Sequence, residues 1–189
     1  MNYCPFLARL AAETFVKTGK VIDSPADCPP KLLSRKSGVF VTIEQDKQLR
    51  GCVETYLPTQ KNIAQEIIHS AITAATDSRF PRLQTRELPS LHYAVSLLSS
   101  LQPVKTLEEL NPKEYGIIVR DSSGKTGLLL PNLEGVDTVL QQIVIACQKA
   151  GIDSSVEDVS LWRFKTQQYS EENDKEKETL SKREGKEKN

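Results

Sequence analysis

The segment Leu49-Arg50-Gly51-Cys52 brings together the residue types in this chain that could perform chemistry. Arg50 supplies a cation close to Cys52, and a nearby cation can stabilise the thiolate that a cysteine nucleophile requires. Gly51 between them would leave the sulfur approachable. Cys52 is therefore the candidate catalytic residue, and the alternative is a buried strand cysteine that packs as a small hydrophobic residue.

Strand geometry extends this candidate site to a third side chain. Successive side chains of a β-strand point to opposite faces, so Arg50, Cys52 and Glu54 are predicted to form a row on one face. The intervening residues, Leu49, Gly51 and Val53, fall on the other face.

A second arginine, Arg79, completes the candidate site, because guanidinium groups recognise carboxylates or phosphates through paired hydrogen bonds. The alternative for both arginines is an ion pair with Glu54 or Asp77. The predicted ligand-binding residues are Arg50, Gly51, Glu54 and Arg79. Phe80-Pro81 is expected to fix the following turn and to pack inward.

The chain offers Cys52 no catalytic base that spacing can identify. Its two histidines are His69, off the apolar stripe of a predicted helix, and His92, at the start of a predicted strand. The four cysteines include no Cys-x-x-Cys pair, so we expect reduced cysteines, no metal and no cofactor. Cys147 lies on an apolar helix stripe and is predicted to pack in the core.

Hydrophobic periodicity predicts the elements that position these residues. Three helices are expected, beginning at Pro5, at Asn62 and at Val136, with a loop at 23–30. Strands are predicted at 38–44, 49–56, 91–98, 115–120, 126–130 and 159–164, with two hairpins among them. This order favours an α+β domain with a mainly antiparallel sheet packed with about three helices, and its length leaves room for a smaller subdomain.

Composition indicates a soluble cytoplasmic protein. Lysine and arginine number 25 and the acidic residues number 25, so the net charge does not favour nucleic acid or a membrane surface as the partner. The N-terminal residues lack the pattern of a signal peptide. We expect one domain over residues 1–168 and a disordered, charged tail over 169–189.

Several motifs in a fixed order resemble the AMMECR family, whose prokaryotic members are called AmmeMemoRadiSam system protein A. They are Gln48-Leu49-Arg50-Gly51-Cys52-Val53-Glu54-Thr55, Asp77-Ser78-Arg79-Phe80-Pro81-Arg82-Leu83 and Gly127-Leu128-Leu129-Leu130-Pro131. The resemblance runs from about Pro5 to Phe164. It implies an AMMECR-like α+β fold and association with radical-SAM and Memo-like proteins, but it brings no accepted reaction or ligand.

The chain departs from the pattern of that family at several places. Val53-Glu54 replaces Ile-Gly, and Ser78 and Arg82 replace prolines. Glu54 adds a carboxylate near Arg50 and lacks the backbone freedom of glycine. This member is therefore expected to use its site differently or to hold Arg50 in an ion pair.

These features favour an accessory or regulatory component that binds a small anionic ligand or a partner protein in a cleft near Arg50, Cys52 and Arg79. The alternative is an enzyme with Cys52 as nucleophile. This alternative requires that the pKa of the Cys52 thiol is lowered. A nucleic-acid-associated regulator is the least favoured, because the charge is balanced.

Overall fold

A computed structural model describes residues 2–153 and 159–171 of the chain. The chain divides into two units, one formed by residues up to Leu97 together with the chain from Gln168, and one formed by Leu98–Gln167. Each unit contains a four-stranded sheet and at least one α-helix. Within the described residues, no helix is both long enough and apolar enough to cross a membrane.

The first unit packs helices on one face of a sheet with the strand order β2-β1-β3-β8. Strand β1 pairs antiparallel with both β2 and β3. Its elements are α1 (Tyr3–Thr18), α2 (Pro30–Ser34), β1 (Val39–Gln45), β2 (Gln48–Thr55), α3 (Ile63–Ala75), β3 (Leu91–Leu98) and β8 (Thr166–Ser170). A short 3-10 helix, Leu88–Ser90, precedes β3.

Small residues let α1 and α3 approach each other closely in the core of this unit. Ala8 and Ala11 of α1 and Ala64 and Ala71 of α3 are fully buried, with larger aliphatic residues such as Ile67 between them. The Asn62 side chain accepts a hydrogen bond from the backbone N–H of Gln65 and so caps α3, as the sequence predicts. Burial of the apolar side of α3 holds the helix against the sheet. The loop that follows α3 contains Asp77 and Arg79.

The β1–β2 hairpin turns at Asp46 and Lys47, both of which have positive φ angles (51° and 62°). The turn between β1 and β2 is thus shorter than the four residues that separate the predicted strands 38–44 and 49–56. Further along, Ile43 pairs with Gly51 whereas Glu44 pairs with Leu49. Arg50 is therefore the extra residue of a β-bulge, which interrupts the strict alternation on which the predicted row depends.

The second unit repeats the plan of a hairpin followed by a helix. Its elements are β4 (Gln102–Pro103), β5 (Gly116–Arg120), β6 (Thr126–Leu129), α4 (Val139–Ala150) and β7 (Ser160–Phe164), with a 3-10 helix at Leu107–Glu109. The strand order is β4-β7-β5-β6 with antiparallel pairing. Cys147 is fully buried in the core of this unit, as predicted.

The α+β class and the antiparallel pairing are confirmed, and three details differ from the prediction. A fourth α-helix, α2, begins at Pro30, where the sequence predicted the end of a loop. The strands form two sheets rather than one. Tyr169 and Ser170, assigned to the tail by the prediction, complete β8; tail residues 172–189 lie outside the described residues.

Candidate functional site

Arg50 is held by the loop that precedes β3. Its Nε lies 2.9 Å from Glu87 Oε1, its Nη2 lies 3.3 Å from Glu87 Oε2, and its Nη1 donates to the carbonyl of Pro81 at 2.6 Å. The side chain of Arg50 is only 13% exposed. The nearby guanidinium holds the pKa of Glu87 below its usual range. Arg50 thus fastens the 81–87 loop to β2, and its partner is Glu87, where the sequence suggested Glu54 or Asp77.

Gly51 is buried where β2 packs on α3. A Cβ atom at this position would lie 2.1 Å from the backbone oxygen of Ala74. Any side chain would therefore push α3 off the sheet. The structure gives Gly51 a packing role, because the helix α3 occupies the side of the strand on which Gly51 lacks a side chain.

Cys52 is half-buried on the face of the sheet opposite to the core. It pairs across the ladder with Thr42, and its Sγ lies 3.9 Å from Thr42 Oγ1. Burial raises the pKa of the thiol; a hydrogen bond with Thr42 and the charge of Arg79 oppose this rise, and Glu54 adds to it. This direction is opposite to the one that a cysteine nucleophile requires.

The histidine closest to Cys52 in the ladder is two strands away. His92 of β3 pairs with Glu44 of β1, and β1 separates β3 from β2. Strands two places apart lie about 9–10 Å from each other, which exceeds the roughly 3 Å needed for proton transfer. His69 is exposed on α3. Neither histidine is placed to act as a base for Cys52.

Glu54 is exposed on β2, opposite Phe40 in the ladder. Gly51 faces α3 and Val53 packs against the core, so Cys52 and Glu54 share the other face of the strand. Two of the three members of the predicted row therefore lie together, while the guanidinium of the bulged Arg50 is directed to Glu87 and Pro81.

Asp77 and Arg79 form an ion pair that covers the free edge of β2; we call these two residues the edge-capping pair. Arg79 Nε and Nη2 lie 3.0 and 2.6 Å from Asp77 Oδ1 and Oδ2. Asp77 Oδ2 accepts the backbone N–H of Cys52 at 3.2 Å, and Arg79 Nη2 donates to the Cys52 carbonyl at 3.0 Å. Because β2 is an edge strand, these bonds occupy groups that could otherwise pair with another strand.

The two arginines of the predicted site differ in exposure. The Arg79 side chain is 63% exposed, although its partner Asp77 is nearly buried. The guanidinium of Arg79 is the main cause that lowers the pKa of Asp77 to about 2, against the effect of burial. Asp77 is thus ionised at neutral pH. Of the two arginines Arg50 and Arg79, Arg79 is the one that solvent reaches.

A pocket of about 340 Å³ opens beside the edge-capping pair. Two aromatic side chains line it, Phe15 of α1 and Phe80 of the turn, together with Thr76, Asp77, Ser78 and Arg82. The ring of Phe80 also lies under Arg79, whose Cζ is 5.7 Å from the ring centroid. Phe80 therefore borders an open pocket, where the sequence suggested inward packing.

Three residues of this region, Phe15, Arg82 and Glu87, were not among the predicted site residues. The Asp77–Arg82 motif was a signal for Arg82, whereas no local pattern connects Phe15 or Glu87 with residues so far away along the chain. Within the described residues, no group of three or more histidine, cysteine or acidic side chains is placed to bind a metal ion.

Comparison with known proteins places these residues in a family context. The AMMECR1 family profile matches residues 5–169. A Thermotoga maritima protein is 46% identical over 159 residues, covering 83% of this chain and 91% of that protein. A Clostridium acetobutylicum protein is 41% identical over 167 residues, covering 87% of this chain and 35% of that protein. The crystal structure of an uncharacterized Pyrococcus horikoshii protein has a TM-score of 0.80 and 30% identity, with 90% of each chain covered.

Proposed function

Since this chain belongs to the AMMECR1 family, we propose that it is an accessory component that binds a small anionic ligand at Arg79 and catalyses no reaction there. The observation that carries this proposal is the contrast between the two arginines: Arg79 is 63% exposed, and Arg50 is 13% exposed. Arg79 uses Nε and Nη2 in the edge-capping pair. Nη1 has no hydrogen-bond partner among the described residues, and its two N–H groups suit an oxygen anion.

Binding is favoured over catalysis by the surroundings of Cys52. Burial raises the pKa of its thiol, so only a small fraction is thiolate at neutral pH. The closest histidine of the ladder lies on the far side of β1. A nucleophile needs an activated thiolate or a base within reach, and these contacts supply neither.

Anion titration tests the proposal. Inorganic phosphate and acetate are titrated into the wild-type protein and into Arg79→Gln, with Arg86→Gln as a matched control at another exposed arginine of the same loop region. Loss of a charge-assisted hydrogen bond weakens binding by roughly 10- to 100-fold. We expect this loss in Arg79→Gln and unchanged affinity in Arg86→Gln.

Two outcomes would overturn the proposal. One is a wild-type protein that binds neither anion at millimolar concentration, and the other is equal affinity in wild type and Arg79→Gln. Arg79→Lys provides a second variant, because it keeps the positive charge but loses the planar donor geometry. Circular dichroism of each variant confirms that the compared proteins are folded.

A further inference from the structure

The pocket beside the edge-capping pair contains two aromatic rings that core packing does not account for. Phe15 and Phe80 are both half-buried, and neither belongs to the hydrophobic cluster formed by α1, α3 and the sheet. Phe15 lies in the last turn of α1, C-terminal to the buried residues of that helix. Phe80 lies in the turn after α3. Two elements far apart in sequence thus present apolar surface to one open space.

From this arrangement we infer that the ligand carries an aromatic group as well as its acidic group, and that the aromatic group lies between Phe15 and Phe80. The inference rests on the proposed function, which supplies the acidic group. It adds the chemical class of the ligand, an aromatic carboxylate, and places its ring in the pocket.

The volume of the pocket suits this class of ligand. This open pocket has a volume of about 340 Å³, and a cavity of about 150 Å³ is enough to bind benzene. One aromatic ring with a short acidic side chain therefore fits, and the volume lies within the roughly 300–1,000 Å³ typical of small-molecule sites. Inorganic phosphate alone would leave both rings uncovered.

The charges around the pocket select an anion. Arg82 lines it and is exposed, and Arg79 adjoins it through the ring of Phe80. The Asp77 carboxylate also lines it, but this group already accepts hydrogen bonds from Arg79 and from the backbone of Cys52. Its charge is thus compensated, so the exposed guanidinium of Arg82 adds to the attraction for a ligand carboxylate that pairs with Arg79. Ser78 adds a hydroxyl group to the lining.

The experiment compares phenylacetate with acetate by NMR titration of the full chain. Both probes carry one carboxylate, so the difference between their affinities measures the contribution of the aromatic ring. We expect phenylacetate to bind at least about tenfold more tightly than acetate. Burial of a phenyl ring between two aromatic side chains contributes enough binding free energy for a difference of that size. Resonances of Phe15 and Phe80 are expected to shift with phenylacetate.

Matched variants locate the binding site. Phe15→Leu is compared with Phe6→Leu, since Phe6 is a half-buried aromatic residue of the same helix that contacts Tyr3 rather than the pocket. Arg82→Gln is compared with Arg86→Gln. The pocket variants should weaken phenylacetate binding at least about fivefold, and the controls should leave it unchanged.

The outcomes separate this inference from the function on which it rests. Equal affinity for acetate and phenylacetate, both lost in Arg79→Gln, would overturn the aromatic class and leave anion binding intact. Phenylacetate binding that Phe15→Leu and Arg82→Gln do not change would overturn the pocket as its site. Absence of binding for both probes would overturn both proposals.

Discussion

Gly51→Ala should destabilise the first unit strongly, although alanine normally stabilises when it replaces glycine. The added methyl group would lie 2.1 Å from the Ala74 backbone oxygen, more than an ångström inside an ordinary contact of 3.4 Å. A backbone atom cannot rotate away as a side chain can, so β2 and α3 must separate. Overpacking of this kind costs about 1–3 kcal/mol, which exceeds the gain of about 0.4–1 kcal/mol from lower entropy of the unfolded chain.

Thermal unfolding followed by circular dichroism measures this effect. A net loss of about 1–2 kcal/mol corresponds to a fall in Tm of roughly 2–8 °C for a chain of this size. Cys52→Ala is the matched control one residue along the same strand, where the side chain faces away from α3. If Gly51→Ala unfolds at or above the wild-type temperature, α3 does not lie against β2 as described.

Three further predictions concern the groups around Gly51. At pH 8, Cys52 should react with iodoacetamide more slowly than a free thiol does, because burial raises its pKa; a rate profile with its midpoint below pH 8 would restore the nucleophile hypothesis. The pKa of Asp77 is lowered to about 2, below its unfolded value of about 3.9, so its contribution to stability is complete above about pH 4 and is lost as pH falls towards 2. Urea unfolding should therefore show that wild type is more stable than Asp77→Asn at pH 6 and that this difference disappears near pH 2. A difference that grows as the pH falls would show that the ionised form of Asp77 does not stabilise the fold. Arg50→Met should cost roughly 1.5–3 kcal/mol, because Glu87 loses a paired, charge-assisted partner; a double-mutant cycle with Glu87→Met that gives purely additive effects would show that the pair contributes nothing.

Local patterns were sufficient to predict most elements of the fold. The apolar stripe of α3 and its Asn62 cap, the hairpins and the burial of Cys147 follow from spacing of a few residues. The helix α2 was missed because Pro29-Pro30 is typical of a loop, yet proline is also favoured at the first position of a helix. One short motif is compatible with both structures, and the choice between them depends on tertiary packing.

The contacts of the candidate residues could not be predicted from the sequence. The bulge at Arg50 shifts by one residue the alternation of side chains between the two faces of β2. No residue type in this segment predicts a bulge. The partner of Arg50 lies 37 residues away, and the bond from Arg79 to the Cys52 carbonyl spans 27 residues. Such contacts arise when the chain folds, so a single sequence indicates which side chains are reactive but not which are already paired.

Gly51 illustrates a different limit of sequence reasoning. A glycine between an arginine and a cysteine is compatible with ligand access and equally with close packing. The position of the Ala74 carbonyl shows the close packing, which depends on a helix that the short motif does not specify. Gly127 has the same role in the second unit, where an added Cβ would lie 1.9 Å from the Ala146 oxygen.

We propose that Arg79, and not Arg50, binds the anionic ligand. The most direct measurement records the Nε–Hε resonances of both arginines in ¹⁵N-labelled wild-type protein during a phosphate titration, with assignments from Arg79→Lys and Arg50→Lys. We expect a saturable shift of the Arg79 resonance, whereas the resonance of Arg50, which is held by Glu87 and Pro81, should stay in place. A saturable shift of the Arg50 resonance with Arg79 unchanged would contradict the proposal.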